Sequence, residues 1–202
     1  MGAIGAVCLV LGLWMALAAP SRLASDNLGS DPARSATSDD HHRGRPEVGA
    51  AATAKDFATA PVAVTIARET TARIVPVSLR GGALGLPPDP QTIGWWTGGA
   101  APGDSHGRAV LAGHVDSAAK GFGALEVLAT VRLGDSIRVK DAAKAEHVYT
   151  VSARHSYPKQ ALPPILFRHD GPPQLILITC AGRFDPNTRH YADNLVVVAD
   201  PR

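Results

Sequence analysis

The spacing of short apolar runs downstream of Pro61 constrains this chain most. Segments rich in Val, Ile and Leu recur at Val62–Ala67, Ile74–Leu79, Arg108–Gly113, Ser136–Lys140, His147–Ala153, Gln174–Thr179 and Asn194–Ala199, with a shorter one at Ala83–Leu86. Turn residues separate them, among them Gly81-Gly82, Pro87-Pro88-Asp89-Pro90 and Leu133-Gly134-Asp135. Runs this short, bounded by Gly and Pro, predict strands rather than helices. The 20 glycines, 16 prolines and few aromatics point the same way, towards a loop-rich β fold and away from a helical bundle. About eight strands in so short a stretch predict a mainly β fold, a closed or nearly closed barrel, because closure removes exposed strand edges. One short helix is expected at Gly123–Thr130, packing Leu125 and Leu128. A second is expected at Ala161–Arg168, interrupted by Pro163-Pro164.

Upstream the composition changes twice. Gly2–Pro20 carries no charge and is just long enough to span a bilayer core. It lacks a basic leading region, but Ala16, Ala18 and Ala19 offer a cleavage site, so it reads as a signal anchor or a signal peptide, with the rest exported. Residues 21–60 are rich in Ser, Asp, Ala, Arg and His without apolar periodicity, and read as a flexible extracytoplasmic linker. The expected organisation is therefore 1–20 membrane segment, 21–60 linker, 61–202 globular domain. A formal net charge of +2 without a basic stripe excludes a nucleic-acid partner.

Two strand ends carry reactive side chains. Leu175-Ile176-Leu177-Ile178-Thr179 ends on Cys180 and the polar segment Ala181-Gly182-Arg183-Phe184-Asp185, while Ala109-Val110-Leu111-Ala112-Gly113 ends on His114. Cys8 lies inside the apolar run and cannot pair with Cys180 in a folded soluble domain, which leaves Cys180 an unpaired thiol in an exported protein. A nucleophilic thiol and an imidazole proton carrier are the core of an acyl-transfer site. The third requirement is a stabiliser of the oxyanion, for which Arg183 and Arg189 stand shortly after Cys180. The order, His before Cys, is the reverse of papain-like enzymes. His106, His147, His155, His169 and His190 lack comparable surroundings, and no HxxxH or CxxC spacing suggests a metal, so neither a metal nor another cofactor is expected. Two other readings stay open on these residues: a tethered surface-binding barrel with an inert Cys, and a Cys–His hydrolase.

The same residues carry a family resemblance. Ala109–His114 resembles the His strand of the sortases, the membrane-anchored cysteine transpeptidases of Gram-positive surfaces. Leu177-Ile178-Thr179-Cys180 resembles their LxTC motif and Leu195–Ala199 their last strand. The markers Pro88-Asp89-Pro90, Gly94-Trp95-Trp96, Pro102-Gly103, Gly113-His114-Val115-Asp116-Ser117, Leu133-Gly134-Asp135, Thr179–Asp185 and Tyr191-Ala192-Asp193-Asn194 resemble the class F branch. The resemblance implies an eight-stranded sortase-type barrel that cleaves an LPxTG-type sorting signal on a secreted protein. The acyl group would pass through a Cys180 thioester to an amine of a peptidoglycan precursor, with the enzyme a membrane-held monomer. It also implies His114 and Cys180 as the catalytic pair. The family's arginine immediately precedes the last strand, where this chain has Asn194. Arg189 is the expected catalytic guanidinium, with Arg183 and Asn194 as substrate-binding candidates.

Overall fold

The computed structural model describes residues 26–35, 59–68, 70–81 and 83–202. The expected membrane segment Gly2–Pro20, with Cys8, lies outside the described residues, as do His41 and His42. In chain order the elements are β1 (Leu28–Gly29), α1 (Pro32–Ser35), β2 (Pro61–Ile66), β3 (Thr70–Val77), β4 (Leu79–Arg80), β5 (Ala83–Leu84), β6 (Thr92–Trp96), β7 (Arg108–Ala112), β8 (Asp116–Ser117), β9 (Gly121–Phe122), β10 (Ser136–Asp141), β11 (Glu146–Pro158), β12 (Gln174–Asp185) and β13 (His190–Pro201). Eight of them close into a barrel in the order β11-β10-β2-β3-β6-β7-β12-β13, and β13 pairs back onto β11. The pairs β3–β6 and β7–β12 are parallel.

Side chains alternate across each strand, so every stave has an inner and an outer face. Ile66, Ile74, Ile93, Leu111, Ile137, Leu175, Leu177, Leu195 and Val197 fill the interior. Outside β7, β12 and β13 a second apolar layer forms from Val110, Ala112, Ile176, Ile178, Val196 and Val198, roofed by Leu166 and by the partly buried Leu84, Leu86, Trp96, Leu162 and Phe167. Covered on both faces, these three strands read in the sequence as continuous apolar runs rather than as alternation.

Several elements differ from the sequence expectation. The eighth stave is Thr92–Trp96, while Ala83–Leu86 supplies only β5 of a side hairpin. Thr92–Trp96 escapes pattern reading because Ile93, Gly94 and Trp95 are all buried, and a Cβ on Gly94 would lie 2.8 Å from the Val77 side chain. Both expected helices shrink to single 3-10 turns, Glu126–Ala129 and Pro164–Phe167. Strand β12 continues well past Thr179, so Cys180 stands inside a strand rather than at its end.

The expected linker through 21–60 is also corrected at residues 26–35. This segment lies on the barrel as an added edge, β1 pairing Leu28 with Arg154 and Gly29 with Ala153 of β11. The Ser156 amide donates to Asn27 Oδ1 at 2.9 Å, Tyr157 Oη donates to Asp31 Oδ1 at 2.6 Å, and Ala33 packs against the outer apolar layer. Only glycine allows the approach at position 29, where φ is +75° and a Cβ would meet Ser152 O at 2.2 Å.

Candidate active site

Parallel pairing of β7 with β12 sets Leu111 beside Leu177 and Ala112 beside Ile178. The ladder ends there, and His114 and Cys180 each follow two residues later. Two hydrogen bonds hold the chains together up to that point: Gly113 N donates to Ile178 O at 3.1 Å, and the buried Thr179 Oγ1 donates to Gly113 O at 3.0 Å. Parity puts His114 and Cys180 on the outer face, in line with Val110 and Ala112 on one strand and Ile176 and Ile178 on the other. Here the apolar roof stops, and both residues are partly exposed. Across β13, Asn194 is the direct partner of Cys180, and Tyr157 of β11 is the direct partner of Asn194. The thiol is unpaired.

The loop before β6 orients His114. Its Nε2 lies 2.8 Å from Pro87 O. A carbonyl only accepts, so Nε2 carries the proton and Nδ1 is the nitrogen left for proton transfer. The loop bearing that carbonyl is itself tied down. Ala124 N donates to Pro90 O at 2.8 Å, Gln91 Nε2 to Phe122 O at 2.6 Å, and Lys120 Nζ to Asp89 Oδ1 at 3.1 Å. The Pro87 carbonyl thus has the place that a carboxylate or amide has in other nucleophile–base–orienter sets. A backbone acceptor carries no sequence signal, which is why residue types alone did not reveal it.

Beyond Cys180 the ladder is irregular. Ala181 pairs with Asp193 and Phe184 with Tyr191, so Gly182 and Arg183 together stand opposite the single residue Ala192. This is a β-bulge, a device that re-aims a side chain. Gly182 makes it possible: its φ is +78°, and a Cβ there would lie 2.2 Å from Asp193 Oδ2. Arg183 leaves the bulge exposed, three residues from the thiol and opposite a small neighbour. Arg189 is placed differently. It sits in the tip of the β12–β13 hairpin at φ +56°, five residues from Asn194, or about 17 Å of extended strand. The fold therefore pairs Cys180 with Asn194, holds the His114 segment alongside through Gly113, and sets Arg183 in the bulge three residues from the thiol and Arg189 at the hairpin tip.

A link not expected from the sequence closes one end of the site. Tyr191 Oη on β13 donates to Asp116 Oδ2 on β8, joining the Cys180 hairpin to the His114 loop. Burial, this hydrogen bond and the negative charges of Asp116 and Cys180 push the Tyr191 phenol up to about 12, so it remains a donor. Phe184 packs on Tyr191 at 5.1 Å between ring centroids. Beside His114 a cavity of about 240 Å³ opens, lined by Pro88, Pro90, His114, Asp116 and Ser117. No group of three metal-ligating side chains occurs among the described residues.

A free thiol on one stave and an oriented imidazole just past the end of the stave parallel to it are the groups acyl transfer through a thioester requires. Comparison with known proteins agrees. Solved structures of sortases share the fold at low identity. Sortase A from Corynebacterium diphtheriae in a lid-mutant form is 18% identical over 69% of this chain and 68% of that one, with a TM-score of 0.53. Sortase C1 from Streptococcus suis is 15% identical over 71% and 74%, TM-score 0.54. A Clostridium perfringens sortase D5 transpeptidase is 15% identical over 71% and 79%, TM-score 0.53. No curated protein sequence matches the chain. The sortase domain model matches residues 66–202, which takes in every stave from the end of β2 onward together with His114 and Cys180. On that match, the chain belongs to the sortase family.

Proposed function

We propose that this sortase, of the class F type on its sequence motifs, cleaves an LPxTG-type sorting signal on secreted proteins and transfers the acyl group to an amine of a cell-wall precursor. The apolar segment Gly2–Pro20 would hold it at the membrane with the barrel outside. The observation that supports the chemistry is the parallel β7–β12 pairing, extended by the Gly113–Ile178 and Thr179–Gly113 hydrogen bonds, which runs the segments leading to His114 and Cys180 side by side. The Cys180 thiolate attacks the scissile carbonyl, a C–S bond forms, and negative charge develops on the carbonyl oxygen. Arg183, delivered by the bulge, and Asn194, opposite the thiol, are the donors we assign to that charge, in preference to Arg189 at the hairpin tip. His114 protonates the departing amine through Nδ1 while Pro87 O holds Nε2. The thioester on Cys180 is then resolved by an incoming amine. With water instead, the product is a hydrolysed peptide.

The test is incubation with a panel of sorting-signal peptides and amines, read by mass spectrometry. The expected result is an acyl adduct on Cys180 that converts to amide product when amine is added. Cys180→Ala should form neither. Turnover by a purified Cys180→Ala protein, or the absence of any adduct across the panel, defeats the reading. A non-catalytic binding barrel would also fail to show His114-dependent labelling of Cys180 by a thiol-directed vinyl sulfone.

A further inference from the structure

We propose that Asp116, in the cavity beside His114, is the residue that binds the ammonium form of the acyl acceptor and so sets its affinity. The inference rests on the thioester chemistry above and adds the recognition of its second substrate. Three observations meet here. The cavity, about 240 Å³ in volume, is walled by the prolines Pro88 and Pro90 and opens onto His114. Its one charged lining residue is Asp116, which is exposed. Tyr191 Oη holds one oxygen of that carboxylate, fixing its position and leaving the second oxygen to accept from another donor.

This arrangement suits a cation that must lose protons next to an imidazole. An amine acceptor at neutral pH is mainly ammonium and cannot attack. A carboxylate binds that form, and its charge-assisted hydrogen bond is stronger than a neutral one. With Nε2 held by Pro87 O, Nδ1 is the basic nitrogen. One ammonium proton leaves to solvent. As the nitrogen attacks the thioester carbonyl and the C–N bond forms, a second proton passes to His114. The C–S bond then breaks and the sulfur departs with the bonding pair, so atoms and charge balance without any further reactant.

The experiment measures partition of the acyl-enzyme in the full chain at saturating sorting peptide, with varied concentrations of a primary alkylamine, glycine amide, or hydroxylamine. Hydroxylamine is neutral at neutral pH and serves as the uncharged nucleophile. Asp116→Asn should raise the KM for the alkylamine and for glycine amide about tenfold or more, the loss expected for a hydrogen bond to a charged group. It should leave the KM for hydroxylamine within threefold of the parent. Tyr191→Phe removes the tie but keeps the carboxylate, so its alkylamine KM should stay well below that of Asp116→Asn. The proposal is overturned if Asp116→Asn leaves the alkylamine KM unchanged. It is equally overturned if all three nucleophiles weaken together, or if Tyr191→Phe matches Asp116→Asn, since either points to a structural tie only. Failure to form acyl-enzyme in the parent refutes the thioester reading itself and is seen separately, as missing adduct mass before any amine is added.

Discussion

Gly123→Ala tests whether the position of the His114 backbone sets the rate. Gly123 follows β9 and is buried against the loop that carries His114. A Cβ built there lies 2.3 Å from His114 O, 2.8 Å from its carbonyl carbon and 3.1 Å from its Cβ. A carbon and a carbonyl oxygen approach no closer than about 3.3 Å, so the His114 backbone must retreat by about 1 Å. The atoms in the way are backbone, not the far end of a flexible side chain. That carbonyl also accepts from Leu125 N at 3.3 Å, and the imidazole is held from the other side by Pro87 O at 2.8 Å. A shift of about 1 Å misaligns the ring with the thiol, and misplacement of that size lowers a rate about 100-fold, or about 2.7 kcal/mol of barrier. The stability cost of overpacking is about 1–3 kcal/mol. The assay is kcat/KM for a sorting-signal peptide, with circular dichroism and a thermal melt to verify the fold. Gly121→Ala is the control. At φ +75° with open space around it, this change strains its own backbone and touches nothing of His114. Gly121→Ala should lower the melting temperature with little change in rate, and Gly123→Ala should lower the rate in a folded protein. A folded Gly123→Ala protein working within threefold of the parent would refute the reasoning.

The bulge and the added edge give further expectations. Gly182→Ala, with its Cβ 2.2 Å from Asp193 Oδ2 at a left-handed φ, should lose both activity and thermal stability. Arg183→Ala should keep the melting temperature and lose about 100- to 1,000-fold in kcat, the range for removing one oxyanion donor; an equal loss in Arg189→Ala alone would move the assignment back to the hairpin tip. For residues 26–35, burial works against the Asp31 carboxylate, but the hydrogen bonds from Tyr157 and the Ala33 amide outweigh it and hold the group below the ordinary carboxylate range. Its stabilising contribution is therefore complete above about pH 4 and is lost as the pH falls through the lower folded value. Hydrogen exchange of residues 26–35 should accelerate only in that acid window, and in Tyr157→Phe at every pH. Acceleration beginning near neutral pH would show that another group holds the segment.

Strand content, the barrel class, and the candidate nucleophile and base were legible in the residues because each is a local pattern. An apolar run ending on Cys180, and another ending on His114, are readable one strand at a time. Thr92–Trp96 was not, because a stave buried on both faces and packed through a glycine shows no period. Residues 26–35 read as linker because their order comes from hydrogen bonds to β11, more than 120 positions away, and not from any apolar rhythm of their own. Where Arg183 leaves the strand depends on a bulge at Gly182–Arg183, whose existence follows from how β12 meets β13. The Pro87 carbonyl and the Asp116–Tyr191 tie have the same origin: they depend on distance between remote segments, and chain order does not encode distance. By itself, then, the amino-acid order specified which chemical groups are present and which segments extend. Closure of the barrel decided which segments become neighbours, because the parallel pairing of β7 with β12 lays side by side the two runs that lead to an imidazole and a thiol sixty-six positions apart.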